Sequence, residues 1–201
     1  MSVAPGKVAP SKVGSLRLTT MLTLVGAIAG FLIVSAYTTT LHRIEGNREA
    51  TIDRAMRDVL PGIARYEKLQ LAEPGKVYAG YGSDGALVGF GVVSIEPGFQ
   101  DPIEILYGYD PRTKSVLGLS ILVSKETPGL GDRIQSAGWL AQFRQRVAPL
   151  IGVKRGSARG PSTVDLITGA TISSRAVVGA VNRSAAKWDP LLRARLTGGE
   201  Q

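Results

Sequence analysis

The chain has 201 residues, 44% of them hydrophobic, with 24 Lys and Arg against 16 Asp and Glu and a net charge of +8 at pH 7. It contains no cysteine, which excludes disulfides, cysteine-ligated zinc, iron–sulfur ligation and thiol catalysis. The single histidine, His42, cannot build a multi-histidine metal site. Positive charge is not gathered into one stripe and no nucleic-acid reading module is recognisable, so nucleic acid is not an expected partner; a membrane surface or an acidic partner suits the charge better.

Residues 1–17 are rich in Gly, Pro, Ser and Lys and read as a flexible tail. Residues 18–41 carry no charged side chain and match the ~20 helical residues needed to cross a bilayer. Lys7, Lys12 and Arg17 precede this span without an acidic neighbour, which predicts a cytoplasmic N-terminus and a domain, residues 42–201, on the other side. A cleaved signal peptide ending near Ala36 is the alternative; the apolar stretch is longer than the ~7–15 residues of a signal core, which favours an anchor. Gly26 and Gly30 form a small-xxx-small face, either a seat for a neighbouring membrane helix or the ordinary glycine content of membrane helices.

From Glu45 to Val59 the apolar spacing suits a short second helix, ended by Pro61-Gly62. Four β-like runs follow, at 77–81, 86–94, 103–109 and 115–123, separated by turn clusters, which predicts an antiparallel meander. Gly80-Tyr81-Gly82-Ser83-Asp84-Gly85 fits the dinucleotide fingerprint letter for letter, but a strand rather than a helix follows it, so it reads as a hairpin turn. A helix is expected over 134–147, with Trp139 and Phe143 one turn apart in the core. Residues 151–162 read as loop, 163–167 as a strand, and 173–196 as a helix broken at Pro190. The whole is one α+β domain following one membrane helix.

No nucleophile–base pair, nucleophile elbow or P-loop is present, so difficult chemistry would have to come from a cofactor. Thr168-Gly169-Ala170-Thr171 lies between a strand and a helix start, where unpaired N–H groups and the helix dipole favour a phosphate. The same residues also suit an ordinary turn capped by Ser173 or Ser174. Lys125-Glu126-Thr127-Pro128-Gly129-Leu130-Gly131-Asp132 forms a second Gly-rich segment, readable equally as a strand-to-helix connection with Asp132 as N-cap.

Together these two segments resemble the motifs of covalent FMN-binding domains. One membrane segment precedes them, and the pattern and length resemble the G subunit of Rnf-type ion-translocating electron-transfer complexes. The resemblance implies an electron-transfer protein, with little turnover alone, in a complex that couples electron flow between ferredoxin and NAD to ion movement. It implies FMN joined covalently to Thr171 by a separate flavin transferase, which recognises a signal that includes Asp165 as well as Thr168, Gly169 and Ala170; Asp165 is otherwise a turn-forming residue. It places the single-pass chain in the inner membrane with a periplasmic domain. Glu126, Thr127, Gly129, Leu130 and Gly131 are then expected along the flavin ring, the two glycines giving the backbone close approach and Lys125 supplying positive charge. The turn at Gly98–Ile103 departs from the family pattern, with Gln100 and Asp101 where small residues are expected, so no cofactor contact is expected from it. The C subunit of a sodium-translocating NADH:quinone reductase shares both motifs, and a membrane-anchored binding module without flavin is the reading from a different class.

Overall fold

The computed structural model describes residues 12–71 and 73–198, and the chain divides into two compact units, 1–49 and 50–201. Helix α1, Lys12–Val59, has residues in both units; its part in the first unit contains Leu16–Thr39, a predominantly apolar stretch of 24 residues that is not buried within the structure. At ~1.5 Å per residue this stretch is ~36 Å long, enough to cross a hydrocarbon core of ~30 Å. Residues 1–11 of the expected tail lie outside the described residues, and residues 12–17 are helical. The expected second helix is not separate either: residues 45–59 belong to α1.

The second unit is built on a six-stranded antiparallel meander. Its strands are β1 Arg65–Lys68, β2 Val77–Tyr81, β3 Leu87–Pro97, β4 Pro102–Asp110, β5 Ser115–Val123 and β6 Arg146–Val147. The order is sequential; tight turns join β2 to β3, β3 to β4 and β4 to β5, whereas residues 124–145 lie between β5 and β6. The Gly82–Gly85 segment is the expected hairpin turn between β2 and β3, closed by Gly85 N–H donating to Gly82 O at 3.1 Å.

The meander is covered on both faces, and β4 is buried at every position from Ile103 to Tyr109. On one face Ile52, Met56, Val59 and Leu60 pack on Tyr78 and Leu106. Close approach there depends on missing side chains. Gly91, Gly108 and Gly118 pair in a row across β3, β4 and β5. A Cβ on Gly108 would lie 2.2 Å from Val59 O, one on Gly118 2.9 Å from Val59 Cα, and one on Gly91 2.3 Å from Met56 Sδ. The other face carries α3, Thr171–Gly198, seated on Phe90, Val92, Ile105 and Tyr107 through Val177, Val181 and Trp188. Two polar ties fix its rotation: Tyr107 Oη with Ser184 Oγ, and Tyr109 O–H donating to Asp189 Oδ1, each at 2.8 Å.

Three segments differ from their predicted form. The helix expected over 134–147 is a 3₁₀ turn, Gly131–Gln135, a single α turn, α2 Ala137–Leu140, and a second 3₁₀ turn, Ala141–Phe143. Ser136 and Arg144 are extended and Gln145 has φ 59°, which stops helix propagation at both ends. Trp139 and Phe143 are nevertheless core residues, edge to face at 4.9 Å. Ile151–Val153, expected as loop, is β7, paired in parallel with β8, Thr163–Asp165. Pro190 does not break α3: it is exposed, while its neighbours Trp188 and Leu192 are buried, and that packing outweighs one missing N–H bond.

Replacing Gly108 by Val tests the glycine row. The new side chain meets backbone rather than a movable side chain, so stability should fall by about 1–3 kcal/mol or more. Thermal unfolding of the full chain in detergent, read by circular dichroism, should show a Tm several degrees lower; an unchanged Tm would mean that the row is not tightly packed.

Candidate functional site

The chain after β8 folds into a tight turn that delivers Thr171 to the start of α3. Ala170 N–H donates to Ile167 O at 3.0 Å, and Ser174 N–H makes a helical bond to Ala170 O at 2.9 Å. Gly169 has φ +86°, a conformation that side-chain-bearing residues rarely adopt. Ser174 locks the turn from inside: its hydroxyl donates to Ala170 O and accepts from Ile167 N–H. Ser173 and Ser174, expected as candidate N-caps, are instead fully buried residues of the first turn. Thr171 is the first residue of the helix and half-buried.

Glu126 meets this turn from the other motif. Its side chain is buried, at 5% exposure. Ser173 O–H donates to Glu126 Oε2 at 2.5 Å, and Gln100 N–H and Asp101 N–H donate to Oε1 at 2.9 and 3.4 Å. Two glycines make room for the carboxylate. A Cβ on Gly98 would lie 2.5 Å from Oε1, and one on Gly131 would lie 2.7 Å from Glu126 Cβ. Thr127 O–H donates to Gln100 Oε1 at 3.0 Å and Lys125 pairs with Asp101 at 3.2 Å. The 98–101 turn, from which no cofactor contact was expected, is therefore bound to the second motif. Burial pushes the Glu126 carboxyl up, but the Ser173 hydroxyl and the N–H groups of Gln100, Asp101 and Phe99 more than offset it, leaving it below its ordinary 4.5.

Between these segments lies a cleft of about 340 Å³ with Thr171 on its wall. Glu126, Thr127, Leu130 and Gly131 line it from one motif; Gly169, Ala170 and Thr171 line it from the other. Three further lining residues, Phe99, Ile172 and Ser173, were not among the expected cofactor contacts. Phe99, Leu130 and Ile172 are 69%, 53% and 54% exposed, an apolar rim around the threonine.

Four predicted site residues lie outside the cleft lining. Lys125 is exposed and ion-paired. Gly129 has φ +76° and open space where its Cβ would be, and Gly131, which does line the cleft, accommodates Glu126. Thr168 is exposed, and its carbonyl accepts from Arg133 at 3.4 Å. Asp165 lines a separate cavity of about 240 Å³ with Arg133, Trp139, Gln142 and Arg155. Its Oδ1 accepts from Ser157 N–H and Ala158 N–H at 3.1 and 2.8 Å, pinning the 156–158 loop. The N–H of Gly156 foremost, then those of Ala158 and Ser157 with the Arg155 charge, hold its carboxyl below the ordinary 3.8 against an opposing effect of burial. Asp132 is not an N-cap: the 3₁₀ turn starting at Gly131 has no side-chain cap bond.

An antiparallel meander backed by one long helix, with a threonine at that helix's start facing a Gly-rich loop, defines an FMN-binding domain, and the family of that description matches residues 98–186. The chain is 31% identical over 169 residues to the G subunit of the ion-translocating oxidoreductase complex of Methanosarcina acetivorans, covering 80% of this chain and 87% of that one. It is 29% identical to the G subunit of the Na(+)-translocating ferredoxin:NAD(+) oxidoreductase complex of Acetobacterium woodii, covering 84% and 88%. The chain belongs to the G-subunit family of Rnf-type ion-translocating oxidoreductase complexes. In fold it is similar to the C subunit of the Na(+)-translocating NADH-quinone reductase of Parabacteroides distasonis, with TM-score 0.57 and 16% identity over 73% of this chain and 94% of that one. NqrC of Shewanella oneidensis gives TM-score 0.51 at 19% identity over 69% and 73%.

The residues fit the flavin that this domain class takes. The cleft volume lies within the ~300–1,000 Å³ of cofactor sites, its rim is apolar, and Thr171 stands where first-turn N–H groups have no intrahelical acceptor.

Acid stability tests the two carboxylates. Both fold with depressed pKa values, so their stabilisation is present above the ordinary 4.5 and 3.8 and is lost as pH falls through the folded values. The wild-type Tm should drop as pH falls below about 4.5. Asp165→Asn should have a lower Tm at neutral pH and a shallower acid decline; parallel Tm–pH curves for the two proteins would contradict the assignment.

Proposed function

We propose that this chain is the electron-transfer protein that carries FMN on Thr171 through a phosphoester bond, within a membrane complex coupling electron flow between ferredoxin and NAD to ion translocation. One observation supports this above others: two motifs about 40 residues apart in sequence line one cleft, with Thr171 on its wall. When bound, FMN supplies the redox chemistry that no side chain of this cysteine-free chain provides. Thr171 offers the hydroxyl that a flavin transferase esterifies. Gly169, in its left-handed conformation, and Ala170 keep the approach to that hydroxyl clear of bulk. The helix start favours the negative phosphate, and Phe99, Leu130 and Ile172 shield one edge of the ring from water. Thr127 has its hydroxyl committed to Gln100, so it holds the loop rather than the ring. Asp165 stays in the transferase's recognition signal and acts by shaping the loop beside the turn. Outside the cytoplasm, where no flavin pool holds a dissociable cofactor by mass action, a covalent bond prevents loss.

The Leu16–Thr39 helix fits a single-pass anchor in such a complex. We place it in the inner membrane with the N-terminus cytoplasmic and the 42–201 domain periplasmic. The open space around Gly26 and Gly30 suits a helix from another protein of the complex.

Coexpression with a flavin transferase, then denaturation, tests the attachment. Wild-type protein should keep its yellow colour and gain the mass of one FMN less water, whereas Thr171→Ala should fold and carry none. Denatured wild type without flavin would leave only a membrane-anchored binding module.

Topology has its own test. Protease added to spheroplasts should digest the domain; protection until lysis would reverse the orientation.

A further inference from the structure

We infer that Glu126 is a redox-positioning residue: a fixed negative charge in the wall of the Thr171 cleft that holds down the potential of the flavin carried there. The inference rests on Thr171 being the flavin site and adds to it the residue that sets the local field.

Three observations carry it. Glu126 is buried at 5% exposure and lines the same cleft as Thr171. The groups around its oxygens are donors: the backbone N–H of Gln100 and Asp101 on Oε1 and the Ser173 hydroxyl on Oε2. A protonated carboxyl would have to turn a donor of its own toward one of them, whereas an ionised one accepts them all. Among the described residues no Lys or Arg pairs with it; the neighbouring cation, Lys125, pairs with Asp101 instead. The charge is therefore held by neutral dipoles, which satisfy its hydrogen bonds without cancelling its net charge.

An unneutralised charge in a partly dehydrated cleft acts with more force than the same charge in water. A carboxylate beside the ring opposes the arrival of an electron there, so the potential is lower with Glu126 than without its charge. This reverses the direction expected from Lys125, whose ammonium is exposed and paired.

Glu126 also joins three segments, so the test must separate charge from architecture. Glu126→Gln keeps the shape and one acceptor for the Gln100 and Asp101 N–H groups, while Ser173 turns to accept from the new amide. Ser173→Ala removes one hydrogen bond and keeps the charge. Both full-length variants and the wild type are flavinylated by coexpression with the transferase, purified in detergent and titrated spectroelectrochemically. Glu126→Gln should retain covalent flavin and titrate at a higher midpoint potential, with Ser173→Ala shifted much less. Infrared difference spectra of the wild type on reduction should contain carboxylate bands and no protonated-carboxyl band, a readout independent of any variant. Glu126→Gln titrating like wild type, an equal shift in Ser173→Ala, or a protonated-carboxyl band overturns the inference alone, with the flavin still on Thr171. Wild type that carries no flavin overturns the underlying site reading as well.

Discussion

The Glu126 carboxylate accepts hydrogen bonds from the 98–101 turn and from the first turn of α3, and so ties both to its own loop. A buried charge is costly unless its hydrogen-bonding capacity is met, and a bond to a charged group is worth ~1.5–3 kcal/mol. The three segments are thus held more firmly than their loop character suggests. Gly98 and Gly131 flank this carboxylate because a Cβ at either position would collide with it. The cleft at Thr171 is the space left between segments drawn together in this way.

That arrangement is useful only if the start of α3 is fixed, and the sheet does this. Tyr107 and Tyr109, both on β4 and both facing α3, bond Ser184 and Asp189, several turns beyond Thr171. Apolar burial along Val177, Val181, Trp188 and Leu192 adds the larger part of the adhesion. On the opposite face the paired glycines at 91, 108 and 118 let residues 52–60 lie against the strands. β4 is therefore buried on both sides, and α3 is tied to it. A rigid strand behind the helix and a hydrogen-bonded loop in front give Thr171 a defined position at the domain surface.

Much of this was legible from residue patterns. The four central strands were readable because β-branched and aromatic runs alternate with Gly, Pro and Asp clusters. The edge strand β1 was not, since Arg65-Tyr66-Glu67-Lys68 has no apolar period and pairs only with β2. The helix expected over 134–147 had the right spacing of Trp139 and Phe143 but a backbone set by Ser136 and Gln145, which spacing does not report. At the site, the two motifs identified which loops meet, but not the contacts those loops make with each other. Gln100 and Asp101 looked unsuitable as cofactor contacts, yet they act through backbone N–H groups that any residue would supply. Gly131 read as room for a ring and is room for Glu126. Ser173 read as a candidate helix cap and is the buried donor that closes the cleft. Phe99 was visible in the sequence, but only the turn's attachment to Glu126 brings it to the rim.

The most direct measurement is tandem mass spectrometry of the tryptic peptide 160–175 from protein coproduced with a flavin transferase. This peptide contains Ser162, Thr163, Thr168, Thr171, Ser173 and Ser174, so its fragment ions discriminate between every hydroxyl near the turn. The account predicts one FMN phosphate per chain, on Thr171, with the other hydroxyls unmodified. FMN on Thr168 or Ser173, or an unmodified peptide from fully folded protein, would contradict it.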